Sequence, residues 1–344
     1  MKEFECSVGV ICYNEEANIG RLLSALVNQE LQRVSIREII VVSSACTDKT
    51  DEIVLKFIEE FNLDSRSGSG MTDLDSRSGS GMTDLDSRSE SGMTEKDTGV
   101  ESGMTDLAVK PRISLIRQKT RQGKSSAINL FLKEATASIL IVESGDTIPR
   151  KDAIEKLVSA FRDNRVGAVG GRPVPVNSRD TLMGFAVHLL WKLHHRMALI
   201  NPKLGELIAF RRLMDQIAVQ SAVDEATIEA IIKRMGLILK YIPDAIINNK
   251  GPENLPDFIK QRRRIQSGHL WLKRTAGYAV ASQDGGLLLK ILLQEILEKP
   301  SDVLKILFVI ILEVYSRLLG SWDFLVLKKN PYVWDISLST KKLG

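Results

Sequence analysis

With one repetitive stretch set aside, residues 5 to 169 alternate short apolar runs with amphipathic segments about ten residues long, and this alternation limits the fold more than any other feature. Glu5–Cys12, Ile36–Val42, Ile113–Ile116, Ser138–Glu143 and Val166–Val169 read as strands. Ala17–Asn28, Asp51–Phe61, Ser125–Ala135 and Asp152–Phe161 read as helices between them. Strands that alternate with helices of this length imply βαβ units and a mainly parallel sheet flanked by helices. Ligands of such sheets bind at the carboxyl ends of the strands. The polar residues that follow each strand are therefore the first candidates for chemistry.

The interruption runs from Asp64 to Ala108. From Ser65 the unit SRSGSGMTDLD recurs with a period of eleven, and Gly-Met-Thr appears at Gly70, Gly81, Gly92 and Gly103. Each unit offers one Met and at most one Leu among Ser, Gly and Asp, too little apolar surface to offset backbone ordering. The segment is expected to be a disordered insertion in a surface loop. It carries ten acidic and four basic residues, so the remaining chain is more basic than the overall charge of +4. Basic clusters at Lys260–Arg264, Lys273–Arg274, Lys328–Lys329 and Lys341–Lys342 suit phosphate-bearing ligands or anionic lipid. They are not interleaved with aromatics along one element, which disfavours nucleic acid. Cys6, Cys12 and Cys46 form no metal or secretory pattern, and MKEFECSVGVICYN reads as a first strand, not a signal peptide. A cytoplasmic protein is expected.

Residues 271 to 344 form a second region. Val303–Leu327 is long and apolar around LFVIIL, but Lys305, Glu313, Arg317 and Asp323 make a membrane-spanning helix the less favoured of the open readings. An amphipathic helix lying in a membrane interface, or docked on the domain, is expected. A core helix of the same domain is the plainer alternative.

Several motifs follow the strands in order: Tyr13-Asn14-Glu15-Glu16-Ala17-Asn18-Ile19; VVSSACTDKTDEIV from Val41; Arg121-Gln122-Gly123-Lys124-Ser125-Ser126; and ILIVESGDTIP from Ile139. Gly205–Arg212, Val223-Asp224-Glu225 and Gln261-Arg262-Arg263-Arg264-Ile265 come later. GKSS at Gly123 resembles a phosphate-binding P-loop, but that loop needs glycine where Gln118 stands. As a set, the motifs resemble the family-2 glycosyltransferases over residues 5 to 270.

The resemblance implies a GT-A (Rossmann-like) fold over residues 1–270 and an inverting transferase that uses a nucleotide-sugar donor. It implies donor contacts from Tyr13, Glu15, Ser43, Arg121, Lys124 and Ser144, and acceptor or diphosphate contacts from Gln261 and Arg264. Asp146 would hold Mg²⁺ or Mn²⁺ through the diphosphate, since oxygen donors suit those ions. Glu225 would be the base that takes the acceptor proton, with Asp224 second to it. The sequence departs from the family pattern at Ser43 and Ser144, where Asp is usual, and at Ile265, where Trp is usual. Asp48 reads as a helix cap. His194-His195 lack a third metal ligand, and Trp191 and Trp271 read as core or interfacial anchors. The expected partners are a nucleotide-sugar, a glycan or lipid-linked acceptor and a membrane surface, at the inner face of which the protein would be peripheral or anchored. A nucleotidyltransferase would need a Gly-rich loop that CYNEEANIG does not supply. A silent nucleotide-sugar-binding module on the same fold is the alternative that Ser43 and Ser144 keep open.

Overall fold

The computed structural model describes residues 3–67, 110–333 and 337–343. Among these, eight strands form one mixed sheet in the order β3-β2-β1-β4-β7-β6-β8-β5. The strands are β1 (Phe4–Cys12), β2 (Val34–Ser43), β3 (Arg112–Arg117), β4 (Ile139–Ser144), β5 (Thr147–Pro149), β6 (Val166–Pro175), β7 (Ile208–Arg211) and β8 (Ile238–Asn249). β1 is flanked on both sides by parallel neighbours, β2 and β4, and β2 pairs in parallel with β3. β7 runs antiparallel to both β4 and β6, and β5 antiparallel to β8.

Strict alternation along the parallel strands sends side chains to opposite faces. Cys6, Val8, Val10, Ile139 and Ile141 enter one core, where they meet Leu22, Leu23, Ile154 and Leu157 of helices α1 (Ile19–Val27) and α4 (Ala153–Ser159). Ile11, Ile40, Val42, Leu140 and Val142 enter the other, under α3 (Lys124–Glu134) and α6 (Asp224–Arg234). Gly9 of β1 makes the second core possible. A Cβ there would come within 2.5 Å of the Phe131 ring of α3, which is fully buried.

Register fixes the functional edge. Cys12 pairs with Ser43, and Ile11 with Ser144, so three parallel strands end at one level. β7 pairs Ile208 with Val142, which carries Glu206 back toward Ser144 at that same edge.

The helix after β2, α2 (Thr50–Ser67), continues through Asp64–Ser67, residues expected to belong to a disordered insertion. Nothing in Asp64-Ser65-Arg66-Ser67 breaks a helix until Gly68. The rest of the eleven-residue repeats lies outside the described residues.

The remaining helices form a third core. In α5 (Leu182–Ile200), α7 (Leu255–Ala276), α8 (Gly285–Glu298) and α9 (Val303–Leu325), Leu189, Leu193, Phe258, Ile291, Ile306 and Val309 pack together. Among the described residues no helix is long and apolar enough to cross a membrane. Phe131→Ala should cost about 3–5 kcal/mol, because the cavity beneath it is closed by strand backbone that cannot collapse; urea unfolding would measure this.

Candidate functional site

A cavity of about 580 Å³ opens at the carboxyl edge of β1 and β4. Tyr13, Glu15, Arg121, Lys124, Ser144, Asp146, Glu225, Gln261 and Arg264 all line it. The sequence motifs thus converge from five separate stretches onto one space. Ser43 and Asp224 do not line it. The Ser43 side chain is fully buried, and its neighbour Ser44 reaches the cavity instead, with its hydroxyl 2.5 Å from Gln118 Oε1.

Asp224 and Glu225 open α6, where acidic side chains complement the positive helix end. The Lys124 ammonium, only 14% exposed, sits 3.0 Å from Asp224 Oδ2 and 2.9 Å from Glu225 Oε1. Burial and the neighbouring Glu225 push the Asp224 carboxyl up to about 6, against the attraction of Lys124. Burial also acts on Glu225, but the charge and hydrogen bond of Lys124 outweigh it and hold that carboxyl below its ordinary value. Glu225 is the accessible member, 26% exposed against 2% for Asp224. An ionised carboxylate that reaches the cavity is what a proton acceptor requires.

The opposite wall is acidic. Gly145 hydrogen-bonds through its N–H to the Ile11 carbonyl, and a Cβ there would meet Cys12 Cβ and Glu15 Cγ at 2.8 Å. Only glycine lets the Ser144-Gly145-Asp146 turn lie that close to β1, and this closeness sets Asp146 beside Glu15. Burial and then Asp146 push Glu15 up to about 8, and the same two causes push Glu206 to about 7. Arg264 stands among Glu225, Asp224, Glu206 and Asp146; burial lowers its guanidinium to about 10 although these carboxylates oppose that.

Glu143, one residue before the motif, points away as strand alternation predicts: it is fully buried, and Thr147 Oγ1 donates to it. Asp48 caps, accepting from the Thr50 N–H at 3.0 Å and the Glu16 N–H at 3.1 Å. Arg121 lies over the Tyr13 ring at 4.0 Å, so one face of that ring is covered by a guanidinium. Among the described residues no group of three His, Cys, Asp or Glu side chains is arranged to hold a metal ion. Asp146 lines the cavity beside Glu15 without forming such a group with it. That suits an ion which brings most of its oxygen ligands with a diphosphate.

Some lining residues were not foreseen. Lys341 donates 2.9 Å to the Tyr13 carbonyl and also to Glu15 Oε1, while Asn18 Nδ2 donates to the Lys341 carbonyl at 2.7 Å. The segment 337–343 therefore straps the side of the cavity lined by Tyr13 and Glu15, and no local pattern announces a contact across more than 320 residues. Lys203 and His269 are also new, and Glu206 lines the cavity from the Gly205–Arg212 motif, to which no role was attached. His269 had a signal, since it follows Gln261 and Ile265 at helical spacing on α7.

A sheet of this topology with such a site is that of a GT-A glycosyltransferase, and the comparisons with known proteins agree. The model of glycosyl transferase family 2 matches residues 7–68 and 104–222, more than half of the chain, and the chain belongs to that family. It is 24% identical over 174 residues to an N-acetylglucosaminyltransferase of Rhizobium meliloti (strain 1021), covering 45% of this chain and 41% of that one. It is 23% identical over 286 residues to the probable glycosyltransferase YdaM of Bacillus subtilis (strain 168), covering 79% and 57%. The chain thus spans about half the length of these curated relatives. Among solved structures, the mannosyltransferase PcManGT of Pyrobaculum calidifontis, in complex with GDP-Man and Mn²⁺, superposes with a TM-score of 0.56 at 20% identity, over 94% of this chain and 88% of that one.

The raised carboxyls set a pH dependence. A Glu with an ordinary value of 4.5 that stands at about 8 when folded keeps a proton the unfolded chain has already released. That contribution to stability is complete below about 4.5 and is lost as pH rises through about 8. With chelator present, the urea midpoint should fall between about pH 5 and about pH 9, and Glu15→Gln should flatten the fall.

Proposed function

We propose that this glycosyltransferase moves a sugar, with inversion, from a nucleoside-diphosphate donor to an acceptor hydroxyl or lipid phosphate at the cytoplasmic face of a membrane. The observation that carries the reading is the convergence, on one cavity, of the Lys124-held Glu225 with Asp146 and Arg264. The donor occupies the edge lined by Tyr13, Glu15, Arg121, Lys124 and Ser144, with Ser43 behind it. Gln261 and Arg264 face the diphosphate and the acceptor. For a hydroxyl acceptor, Glu225 takes the proton as the oxygen attacks the anomeric carbon and the nucleoside diphosphate departs. Charge that develops on the leaving diphosphate meets Arg264, preorganised in a site largely shielded from water. A divalent ion, Mg²⁺ or Mn²⁺, held by Asp146 and the donor's phosphate oxygens would offset that charge further. The Mn²⁺ and GDP-Man of the Pyrobaculum complex support this donor class.

Nucleotide release from a panel of UDP-, GDP- and dTDP-sugars tests the reading. Metal-dependent release from one donor is expected, and Glu225→Gln and Asp146→Asn should each lower turnover by about 10²–10⁴-fold. Failure to release nucleotide from any donor, with lipid extract present, would sink the transfer reading and leave a nucleotide-sugar-binding module.

The membrane reading rests on α8 and α9. While Ile306, Val309 and Leu312 of α9 are buried, Leu304, Ile311 and Leu318 are 76%, 69% and 65% exposed at seven-residue spacing, with Trp322 on the same stripe. Leu289, Leu293 and Leu297 of α8 are exposed too, and Lys328 and Lys329 follow α9. Apolar stripes with flanking basic groups suit an anionic bilayer surface. Sedimentation with phosphatidylglycerol vesicles should carry the wild type down and leave Ile311→Asp/Leu318→Asp in the supernatant. Equal sedimentation of the two would discard the membrane surface.

A further inference from the structure

The same cavity continues beyond Glu225 into the third core, between α5, α7, α8 and α9. Lys203, Arg262, His269 and Arg317 line this inner part, and its walls are Val187, Leu190, Trp191, Leu292, Val309 and Ile310. The charges do not balance. Glu313 is the one carboxylate in contact with them: Arg262 grips it through two bonds, of 2.6 and 2.7 Å, and Arg317 adds a third of 2.8 Å. The carboxylate is thus saturated by two guanidiniums, leaving an excess of positive charge.

Lys203 and His269 make no hydrogen bond or ion pair with any described residue. The carboxylate nearest in sense, Glu229, already accepts from the Leu204 N–H at 2.5 Å and from the Tyr278 hydroxyl at 2.8 Å, and forms no ion pair with Lys203. The positive potential is felt by the groups within it. Burial, then Lys203, Arg262 and Arg317, push the His269 imidazole down to about 3. Burial lowers the Lys203 ammonium as well, and the two arginines add to that against the pull of Glu229.

A half-buried ammonium beside two guanidiniums, with no carboxylate in ion-pair contact and only the more distant pull of Glu229, is costly unless an anion joins it. A helix-bundle cavity with a cationic throat and aliphatic walls is complementary to an amphiphile whose charge sits at one end.

Resting on the transfer reading above, we propose that Lys203, Arg262, His269 and Arg317 form the acceptor site for a phosphate-bearing amphiphile. Its phosphate sits against Lys203 and Arg317 beside Glu225, and its apolar chain follows the slot between α5, α8 and α9. Lys203 is the discriminating residue, because Arg262 and Arg317 are already committed to Glu313. The neutral imidazole of His269 offers a hydrogen-bond donor to a phosphate oxygen. The slot is walled in part by α8 and α9, the same helices that carry the exposed apolar stripes.

Calorimetry on the full chain tests this with dodecyl phosphate below its micelle concentration, the neutral amphiphile triethylene glycol monododecyl ether, and inorganic phosphate. Dodecyl phosphate should bind about tenfold or more tightly than either of the others. Lys203→Met should lose about tenfold or more of that affinity, and Lys203→Arg should keep most of it. Thermal unfolding of both variants shows whether each is folded. Equal binding of the neutral amphiphile, or unchanged binding to folded Lys203→Met, would overturn the assignment. Inorganic phosphate that binds as tightly as dodecyl phosphate would overturn the amphiphile and point to a free phosphate ester. Nucleotide release by the wild type, run in parallel, separates the two readings. Release without Lys203-dependent binding removes the acceptor site alone, and binding without release removes the transfer reading alone.

Discussion

Lys124 is the group on which the geometry of the site depends. Its ammonium lies between two carboxylates that are adjacent in sequence and would otherwise repel one another inside the protein. Removing one partner from a buried ion pair leaves an uncompensated charge, and this costs far more than an exposed pair is worth. The Lys124 contacts therefore lock the start of α3 to the start of α6, which lie on one face of the sheet and reach it from distant parts of the chain. Gly123, with φ of 90°, supplies the turn that aims Lys124 inward. The lowered carboxyl of Glu225 follows from that placement, while Asp224, raised by burial and by Glu225, is held against the same ammonium.

Much of the parallel half was legible because its signal is local. β1, β2 and β4 are apolar runs buried on both faces; α1 and α2 follow β1 and β2 directly, and α4 follows β4 after the short β5. The mixed half, where β7 and β5 run antiparallel to their neighbours and β6 pairs in parallel with β8, was less legible. β7 has only four residues, too few to show a period, and β8 carries Pro243 in Tyr241-Ile242-Pro243-Asp244, which blurs the alternation. β6 runs on to Pro175 because Gly170-Gly171 admits close neighbours: a Cβ at Gly171 would stand 2.8 Å from the Ala245 carbonyl of β8.

The site divides in the same way. Residues that sit just past a strand, such as Tyr13, Ser144 and Asp146, could be read from topology, since strand ends of a doubly wound sheet meet at one edge. Glu225 and Arg264 came from the motif set and line the same cavity. Lys203 and Lys341 could not be found this way. Lys203 lies in a loop without periodicity, and Lys341 reaches Glu15 from the far end of the described chain. For Val303–Leu327 the pattern left three placements open, and the buried face of α9 against α5 and α7 shows it docked on the domain.

The route of α2 bears on how this chain can change over time. The helix leaves the carboxyl edge at Thr50, runs back along the sheet and stops at Ser67, and β3 then enters from the amino edge with Arg112 paired to Glu38. Both attachment points of the repetitive stretch thus lie at the edge of the sheet opposite the cavity. Lengthening a connection there adds closure entropy only slowly, about 0.6 kcal/mol for each doubling. A change in the length of this connection therefore need not move the strand ends at the cavity. The repetitive sequence is thus joined to the fold on the side away from the cavity, where its length bears least on the geometry of the lining residues.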